Sequence, residues 1–443
     1  MLKTFPKGGV HPPENKISKE RKIEELQLPK TVTIPISQHI GAPSTPIVNK
    51  GDKVKVGQLI AKSSGFVSTN IHSSVSGVVN KLEEMLDSSG YKRLSIVIDV
   101  EGDEWLDTID RSKNIKKEVT ASQEEIINKI LDSGIVGLGG ATFPSHVKLS
   151  IPKGKTAEYL IINGVECEPY LTSDHRLMLE KADEMLVGIE ILMKAINVNK
   201  AFIGIENNKP DAIAHLIEKA KSYKGIEVHA LKVQYPQGGE KQLIKALINR
   251  EVPSGGLPVD VGAVVHNVGT AFAVYEAVQK NKPLFERVVS VTGKNLNQTA
   301  NYLVRIGTSV NELIEAVGGL PLDTGKVVNG GPMMGKAIGS TDVPVTKGTS
   351  GILLFSEKES KRKDVYNCIR CGKCVSVCPM GLEPFLLMTL SEKAIWDRVE
   401  SEKAMDCIEC GSCSYTCPSS RPLLDFIRLG KSSVLKIIRT RQK

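Results

Sequence analysis

Two stretches of the chain carry the same cysteine pattern, and no other feature limits its fold as sharply. Cys368-Ile-Arg-Cys371-Gly-Lys-Cys374-Val-Ser-Val-Cys378-Pro379 is a CxxCxxCxxxCP run, and Cys407-Ile-Glu-Cys410-Gly-Ser-Cys413-Ser-Tyr-Thr-Cys417-Pro418 repeats it. Thiolates three apart wrap one iron–sulfur cube, and the cysteine before the proline reaches the other cube. This spacing assigns Cys368, Cys371, Cys374 and Cys417 to one [4Fe–4S] cluster, and Cys407, Cys410, Cys413 and Cys378 to the second. Structural zinc also takes four thiolates but does not need three cysteines plus a Cys-Pro in each copy. Eight of the nine cysteines lie here and only Cys167 lies elsewhere, which excludes a disulfide-stapled secreted fold. Between the runs, Leu386, Leu387, Leu390, Ile395 and Val399 recur near helical spacing. A helix-rich two-cluster ferredoxin-type domain is expected over 357–420, with its cubes close enough for serial one-electron transfer.

The remaining chain is long enough for other units: 443 residues predict two to four domains at roughly 100–200 residues each. The net charge of +8 is modest and unevenly placed. From Arg421 onward there are seven basic residues and one acid, Asp425, so the body of the chain is nearly neutral and no nucleic-acid partner is expected. No run approaches the ~18 apolar residues of a membrane span; Leu186 to Ile196 is broken by Glu190 and Lys194. The first residues lack the apolar core of a secretory signal, so a cytoplasmic setting is expected.

Residues 1–30 are rich in Pro and Lys and read as an extended arm. Over 31–110, short alternating runs (Val32, Ile34, Ile36; Val54 to Val56; Ile71 to Val79) are punctuated by Gly41, Gly51, Gly57, Gly65 and Gly77. Gly51-Asp-Lys-Val54 and Ser76-Gly-Val-Val79 resemble the halves of the barrel-sandwich fold of lipoyl and biotinyl carriers. No lysine lies between Gly65 and Gly77, so a scaffold is expected rather than a swinging arm. Over 115–283 helix-like stretches (Ser122–Leu131, Leu177–Asn197, Asp211–Tyr223, Lys241–Asn249, Thr270–Lys280) alternate with apolar runs (Tyr159–Ile162, Ala201–Ile205, Val264–His266). That texture predicts a largely parallel sheet covered by helices. Residues 284–345 place strands around one helix, Val310–Ala316, as in a β-grasp module, and a polar bridge from Ser356 to Asp364 follows.

Gly137-Leu-Gly139-Gly140-Ala-Thr-Phe143-Pro144 lies in the α/β unit. Closely spaced glycines let backbone N–H groups approach a phosphate or planar ring without a Cβ in the way. Thr142 stands where a dinucleotide fingerprint has its last glycine, and no Gly-Lys-Ser/Thr follows. By itself the loop fits an ordinary turn as well as a cradle.

With its neighbours the loop resembles the GxGGxxFP motif of the FMN- and NADH-binding subunit of respiratory complex I and its hydrogenase relatives. Asn163-Gly-Val-Glu166-Cys167-Glu168-Pro169, Tyr235-Pro-Gln-Gly238-Gly239-Glu240 and Val265-His-Asn267-Val-Gly-Thr270 resemble the same subunit in the same order. The resemblance implies a Rossmann-like flavin domain in which Gly137, Gly139, Gly140, Asn163, Glu166, Tyr235, Gly239, Glu240 and Asn267 surround FMN. Phe143, Lys148 and Glu168 would receive NAD(H). Leu138 stands where that subunit has a basic residue, and Lys241 where it has a second acid. Lys7-Gly-Gly-Val-His-Pro-Pro-Glu14, Gln38-His-Ile-Gly-Ala-Pro43 and Gly51-Asp52 resemble the RnfC component of the Rnf electron-transport complex, and the domain order agrees.

The resemblance covers nearly the whole chain. It implies an oxidoreductase subunit, peripheral on the cytoplasmic side of the cell membrane, in a complex that couples electron transfer between ferredoxin and NAD to ion translocation. Other Rnf subunits are the implied partners, and ferredoxin is served indirectly. No side chain need act as acid or base. A cobalamin-reducing flavin–iron–sulfur protein, or a non-catalytic iron–sulfur adaptor, are the alternatives.

Smaller signals are read as structural. Cys167 lies between Glu166 and Glu168, whose charges disfavour a thiolate, so a packing role is expected. His11, His39 and His72 lie in turns without ligand spacing, and Met333 and Met334 are packing residues. On a helical wheel the tail 421–443 gathers Leu423, Leu424, Phe426, Ile427, Val434, Leu435, Ile437 and Ile438 on one half. Arg421, Arg428, Lys436, Arg439 and Lys443 fall on the other, with Gly430 as a weak point. Such a helix lies on an anionic membrane or packs on the ferredoxin-type domain, and its residues leave both open.

Overall fold

The computed structural model describes residues 2–441, so Lys443 of the tail lies outside the described residues. Near the N-terminus, Thr31–Pro35, Lys92–Val100, Gly77–Leu86 and Lys53–Val54 form a four-stranded antiparallel sheet. A three-stranded antiparallel sheet of Thr45–Pro46, Leu59–Lys62 and Ile71–His72 completes the sandwich. Inward residues of the alternating runs, among them Val32, Ile34, Val54, Ile96 and Ile98, fill the core between them. The run Ile71 to Val79 is not one strand. It crosses from one sheet to the other at the buried serines Ser73, Ser74 and Ser76.

The central unit is built on four parallel strands in the spatial order Ile226–Leu231, Ala201–Glu206, Tyr159–Asn163, Ala263–Asn267. Leu160, Ile161, Ile162, Ile203, Ile205, Val264 and Val265 are buried, on both faces of the sheet, as parallel strands between helices require. Gln123–Asp132 starts at a capping box of Ser122 and Glu125 and buries Ile126 and Ile130. The single helix expected over Leu177–Asn197 is two, Ser173–Glu180 and Ala182–Ala195, parted at Lys181. Gly188 permits the second of these to touch the backbone of Val268–Lys280, since a Cβ there would run into the Ala271 carbonyl.

A six-stranded mixed sheet follows, in the order Ile23–Glu25, Ala300–Arg305, Glu286–Thr292, Gly351–Ser356, Thr324–Asn329, Lys336–Ala337. Its strand Gly351–Ser356 lies beyond the range expected for this module. The first strand comes from the N-terminal arm, which also bridges Lys3 to Leu231 and Val10 to Tyr235. The arm is a tie among units, not a loose leader.

The cysteine region is helical: Lys373–Ser376, Pro384–Glu392, Trp396–Ser401 and Ser412–Thr416 precede a long helix, Leu423–Arg441. That last helix packs its apolar side onto the cysteine domain, burying Leu423, Leu424, Ile427 and Val434. Several of its cations are paired there: Arg428 and Lys431 with Glu409, Arg441 with Glu400. Gly430 is a crossing point, because a Cβ would run into Ser391 of Pro384–Glu392. Among the described residues no helix is long and apolar enough to cross a membrane.

Candidate functional site

In the parallel sheet the chain builds outward from Tyr159–Asn163 in one direction, then returns to add Ala263–Asn267 on the other side. The carboxyl ends of these two strands form the crevice where open parallel sheets take their ligands. Asn163 and Asn267 pair in register there. Asn267 donates from Nδ2 to the Asn163 carbonyl at 3.4 Å and to Asp174 at 2.7 Å, while its Oδ1 caps the helix behind by accepting from Gly269 N–H.

The glycine loop sits over this crevice. Gly137 N–H donates to the Phe143 carbonyl at 2.9 Å, closing the loop, and Leu138 N–H is held by Thr270 Oγ1. Gly139 and Gly140 are exposed, and a Cβ on Gly139 would lie 2.7 Å from Asn267 Nδ2. The loop is thus a cradle that a side chain at Gly139 would fill. Asn163 Nδ2 donates to the Gly238 carbonyl at 2.8 Å, which draws in the segment Tyr235–Gly239. Glu240 opens the helix Glu240–Ile248 and takes Lys148 Nζ at 2.6 Å; the same ammonium reaches the Val265 carbonyl at 3.1 Å. Exposed glycine backbone, two asparagines and a lysine suit an anionic cofactor with a planar ring.

Three expected site residues direct their side chains elsewhere. The Glu166 carboxylate accepts from Asp174 N–H at 2.8 Å and His175 N–H at 3.3 Å, capping Ser173–Glu180. Glu168 accepts from Met333 N–H at 3.1 Å and Met334 N–H at 2.7 Å, which fastens it to the six-stranded module. Burial pushes its carboxyl up to about 7, against the pull of those donors and of Lys16. Tyr235 is buried and donates to the Cys410 carbonyl at 2.8 Å. Met333, read as packing, therefore holds Glu168 through its backbone.

For Cys167 the cause of the shift differs from the expected one. Burial comes first in pushing the thiol up, then Glu206 from a neighbouring strand, and only later Glu168. His39 and His72 are both buried, and burial lowers them to about 4 and about 3.

Sequence reasoning missed two residues. Lys16 of the arm donates from Nζ to the carbonyls of Glu166 at 2.7 Å, Glu168 at 2.9 Å and Leu171 at 2.7 Å. Asp174 meets Asn267, and burial followed by repulsion from Glu166 raises it to about 7. The arm's Pro-Pro-Glu-Asn-Lys run was the available signal for Lys16; Asp174 had none.

Four of the eight cysteines of the two runs share one recess. Cys378, Cys407, Cys410 and Cys413 line one recess walled by Met380, Leu382, Leu387, Ile408, Leu424 and Ile427. This grouping of three cysteines from one run and the Cys-Pro cysteine from the other fits a cube in an apolar wall. Cys368 and Cys371 are exposed, and Cys374 and Cys417 are partly buried.

Family models match for the RnfC barrel sandwich hybrid domain over 3–103, the Nuo51 FMN-binding domain over 130–276, the SLBB domain over 288–337 and the 4Fe-4S dicluster domain over 367–420. The corresponding subunit of the proton-translocating ferredoxin:NAD(+) oxidoreductase complex of Clostridium ljungdahlii is 48% identical over 98% of this chain and 94% of its own length. Its Na(+)-translocating counterpart from Acetobacterium woodii is 47% identical over 97% of each. A solved NAD+-reducing [NiFe]-hydrogenase in the air-oxidized state shares the fold at 18% identity and a TM-score of 0.50, over 71% of this chain and 66% of that one, just under two thirds of its length. The chain belongs to the RnfC family, which supplies this subunit to the ion-translocating ferredoxin:NAD(+) oxidoreductase, or Rnf, complexes.

Proposed function

We propose that this chain is the NAD(H)-reactive subunit of a membrane complex that couples electron transfer between ferredoxin and NAD to ion movement. One observation carries the reading: the segment 235–240 borders the glycine-loop crevice through Asn163 and Gly238, and reaches a cluster cysteine through Tyr235 and Cys410. A hydride site and an electron-transfer site are thereby joined by one short loop.

The central sheet is read as Rossmann-like and the module around Val310–Ala316 as β-grasp. Gly137, Gly139, Gly140, Asn163, Gly239, Glu240 and Asn267 would hold FMN, with Glu166 and Tyr235 shaping its surroundings. Phe143 and Lys148 would receive the nicotinamide nucleotide, whereas Glu168, expected beside them, is held by Met333 N–H and Met334 N–H. When bound, FMN supplies the exchange of a two-electron hydride for single electrons. The chain's own residues position and exclude: Lys148 meets anionic oxygens, the glycine backbone permits close approach, and Lys16 holds the carbonyls of 166–171 in place. The eight cluster cysteines would hold two [4Fe–4S] cubes. Because its relatives are subunits of ion-translocating complexes, the chain is read as a peripheral subunit on the cytoplasmic face, held by other subunits of the complex. NAD reduction is the expected physiological direction.

Quantifying flavin, iron and sulfide in the anaerobically purified chain, together with NADH-dependent dye reduction, tests this. FMN with roughly eight iron and eight sulfide per chain is expected. Absence of flavin with no NADH oxidation would leave only an iron–sulfur adaptor.

A further inference from the structure

The two cysteine groups differ in where they face. The recess of Cys378, Cys407, Cys410 and Cys413 is bordered by residues that bond to the central unit and the N-terminal arm. Tyr235 reaches Cys410, Gly9 N–H donates to the Val377 carbonyl at 2.9 Å, and Gln242 contacts Met380. Cys368 and Cys371 instead lie in a segment, 361–373, whose every residue is exposed. That segment lies against the second run, since Tyr366 N–H donates to the Ser419 carbonyl at 3.0 Å.

Its surface chemistry is one-sided. It carries five cations, Lys361, Arg362, Lys363, Arg370 and Lys373, against one carboxylate, Asp364. Only Arg362 has an ion-pair partner among the described residues, Asp425. Among the cations stand large apolar side chains, Val365, Tyr366 and Ile369, the last 67% exposed. Apolar residues ringed by unpaired charge of one sign make a surface for a transient, electrostatically steered protein partner of opposite sign.

We propose that the face formed by residues 361–373 is the docking site of an acidic one-electron carrier protein, which exchanges electrons with the outward cube of Cys368, Cys371, Cys374 and Cys417. This rests on the proposed function for the direction of electron flow, though not for the docking itself. The charge is on the exposed cysteine face, whereas the cations of the tail helix are largely paired to its own domain. That contrast favours a protein partner over a lipid surface.

The test uses the intact detergent-solubilised complex and the isolated holo-chain. A carbodiimide that joins lysines to carboxylates, followed by peptide mass mapping, is expected to link Lys361, Lys363 or Lys373 to acidic residues of another protein. In a Lys361→Glu, Lys363→Glu, Lys373→Glu variant with unchanged iron content, NADH reduction of the uncharged quinone menadione stays at the parent rate. Electron transfer through the whole complex falls at least tenfold, and raised salt reproduces the loss in the parent. No cross-link at these lysines, with unchanged whole-complex transfer in the variant, overturns the docking. So does loss in the variant of binding to vesicles of one-third phosphatidylglycerol, which would make the face a lipid contact. Failure of the parent to reduce menadione with NADH would count against the proposed function and leave the cross-linking result standing.

Discussion

Tyr235 donates its phenolic hydrogen to the backbone carbonyl of Cys410 across 2.8 Å, and so a residue of the crevice loop ends on a residue of the second cysteine run. Both are buried, and the neighbouring arm adds Val10 in two backbone bonds to Tyr235. Removing the hydroxyl leaves a buried carbonyl without its donor, a cost of about 1–3 kcal/mol. Tyr235→Phe is therefore expected to lower the stability of the holo-protein in urea unfolding by that order while retaining its iron.

Lys16 holds three carbonyls of the loop 166–171 from a segment some 150 residues away in sequence. Hydrogen bonds from a charged donor contribute roughly 1.5–3 kcal/mol. Lys16→Met is expected to loosen this loop and weaken FMN retention about tenfold or more, read by flavin fluorescence after gel filtration. Lys19→Met, an exposed neighbour on the same arm, should leave retention unchanged.

At Gly139 an added methyl would meet the Asn267 side chain at 2.7 Å, in the crevice itself. Gly139→Ala should reduce flavin binding at least tenfold without changing iron content. Gly140→Ala, where no atom lies within 4 Å, serves as the control for the folded chain and should keep its iron as well.

Lys347 is fully buried and donates from Nζ to the carbonyls of Asn70 at 2.9 Å and Gly134 at 2.7 Å, joining the N-terminal sandwich to the central unit. Burial lowers its pKa from 10.5 to about 7. Between these values the unfolded chain binds more protons than the folded one, so this residue makes stability rise with pH from about 7 toward 10.5. The slope from one such group is at most about 1.4 kcal/mol per pH unit. Lys347→Met should flatten that rise, measured as the difference between the two proteins' unfolding curves across this range.

Much of the site was legible because it rests on local spacing. The cysteine runs suggest their own partners, and Cys378, Cys407, Cys410 and Cys413 line one recess. The Gly137–Phe143 glycines alone fitted a turn as well as a cradle, and Asn163 and Asn267 were legible only through the family resemblance. What stayed hidden depends on contacts far apart in sequence. The edge strand Ile226–Leu231 carries Glu227 and His229 within it and has no continuous apolar run to mark it. The break at Lys181 has no Gly or Pro, so packing rather than local preference sets it. The tail's amphipathic pattern announces a buried face without naming what covers it; Leu387, Leu390 and Val399 of the cysteine domain do, while Glu409 and Glu400 pair its cations. Lys16 is one of many lysines in sequence, and only the folded loop gathers three carbonyls about it.

The central claim is that hydride chemistry at the crevice and the two cubes form one electron path. It is tested by reducing the holo-chain photochemically, removing the reductant, and adding NAD+ under anaerobic conditions. The account predicts NADH absorbance rising as cluster absorbance returns, with one NADH formed for two electrons lost, and no such reaction in the flavin-stripped chain. Clusters that stay reduced in the presence of NAD+, in a chain carrying its full flavin, would contradict it.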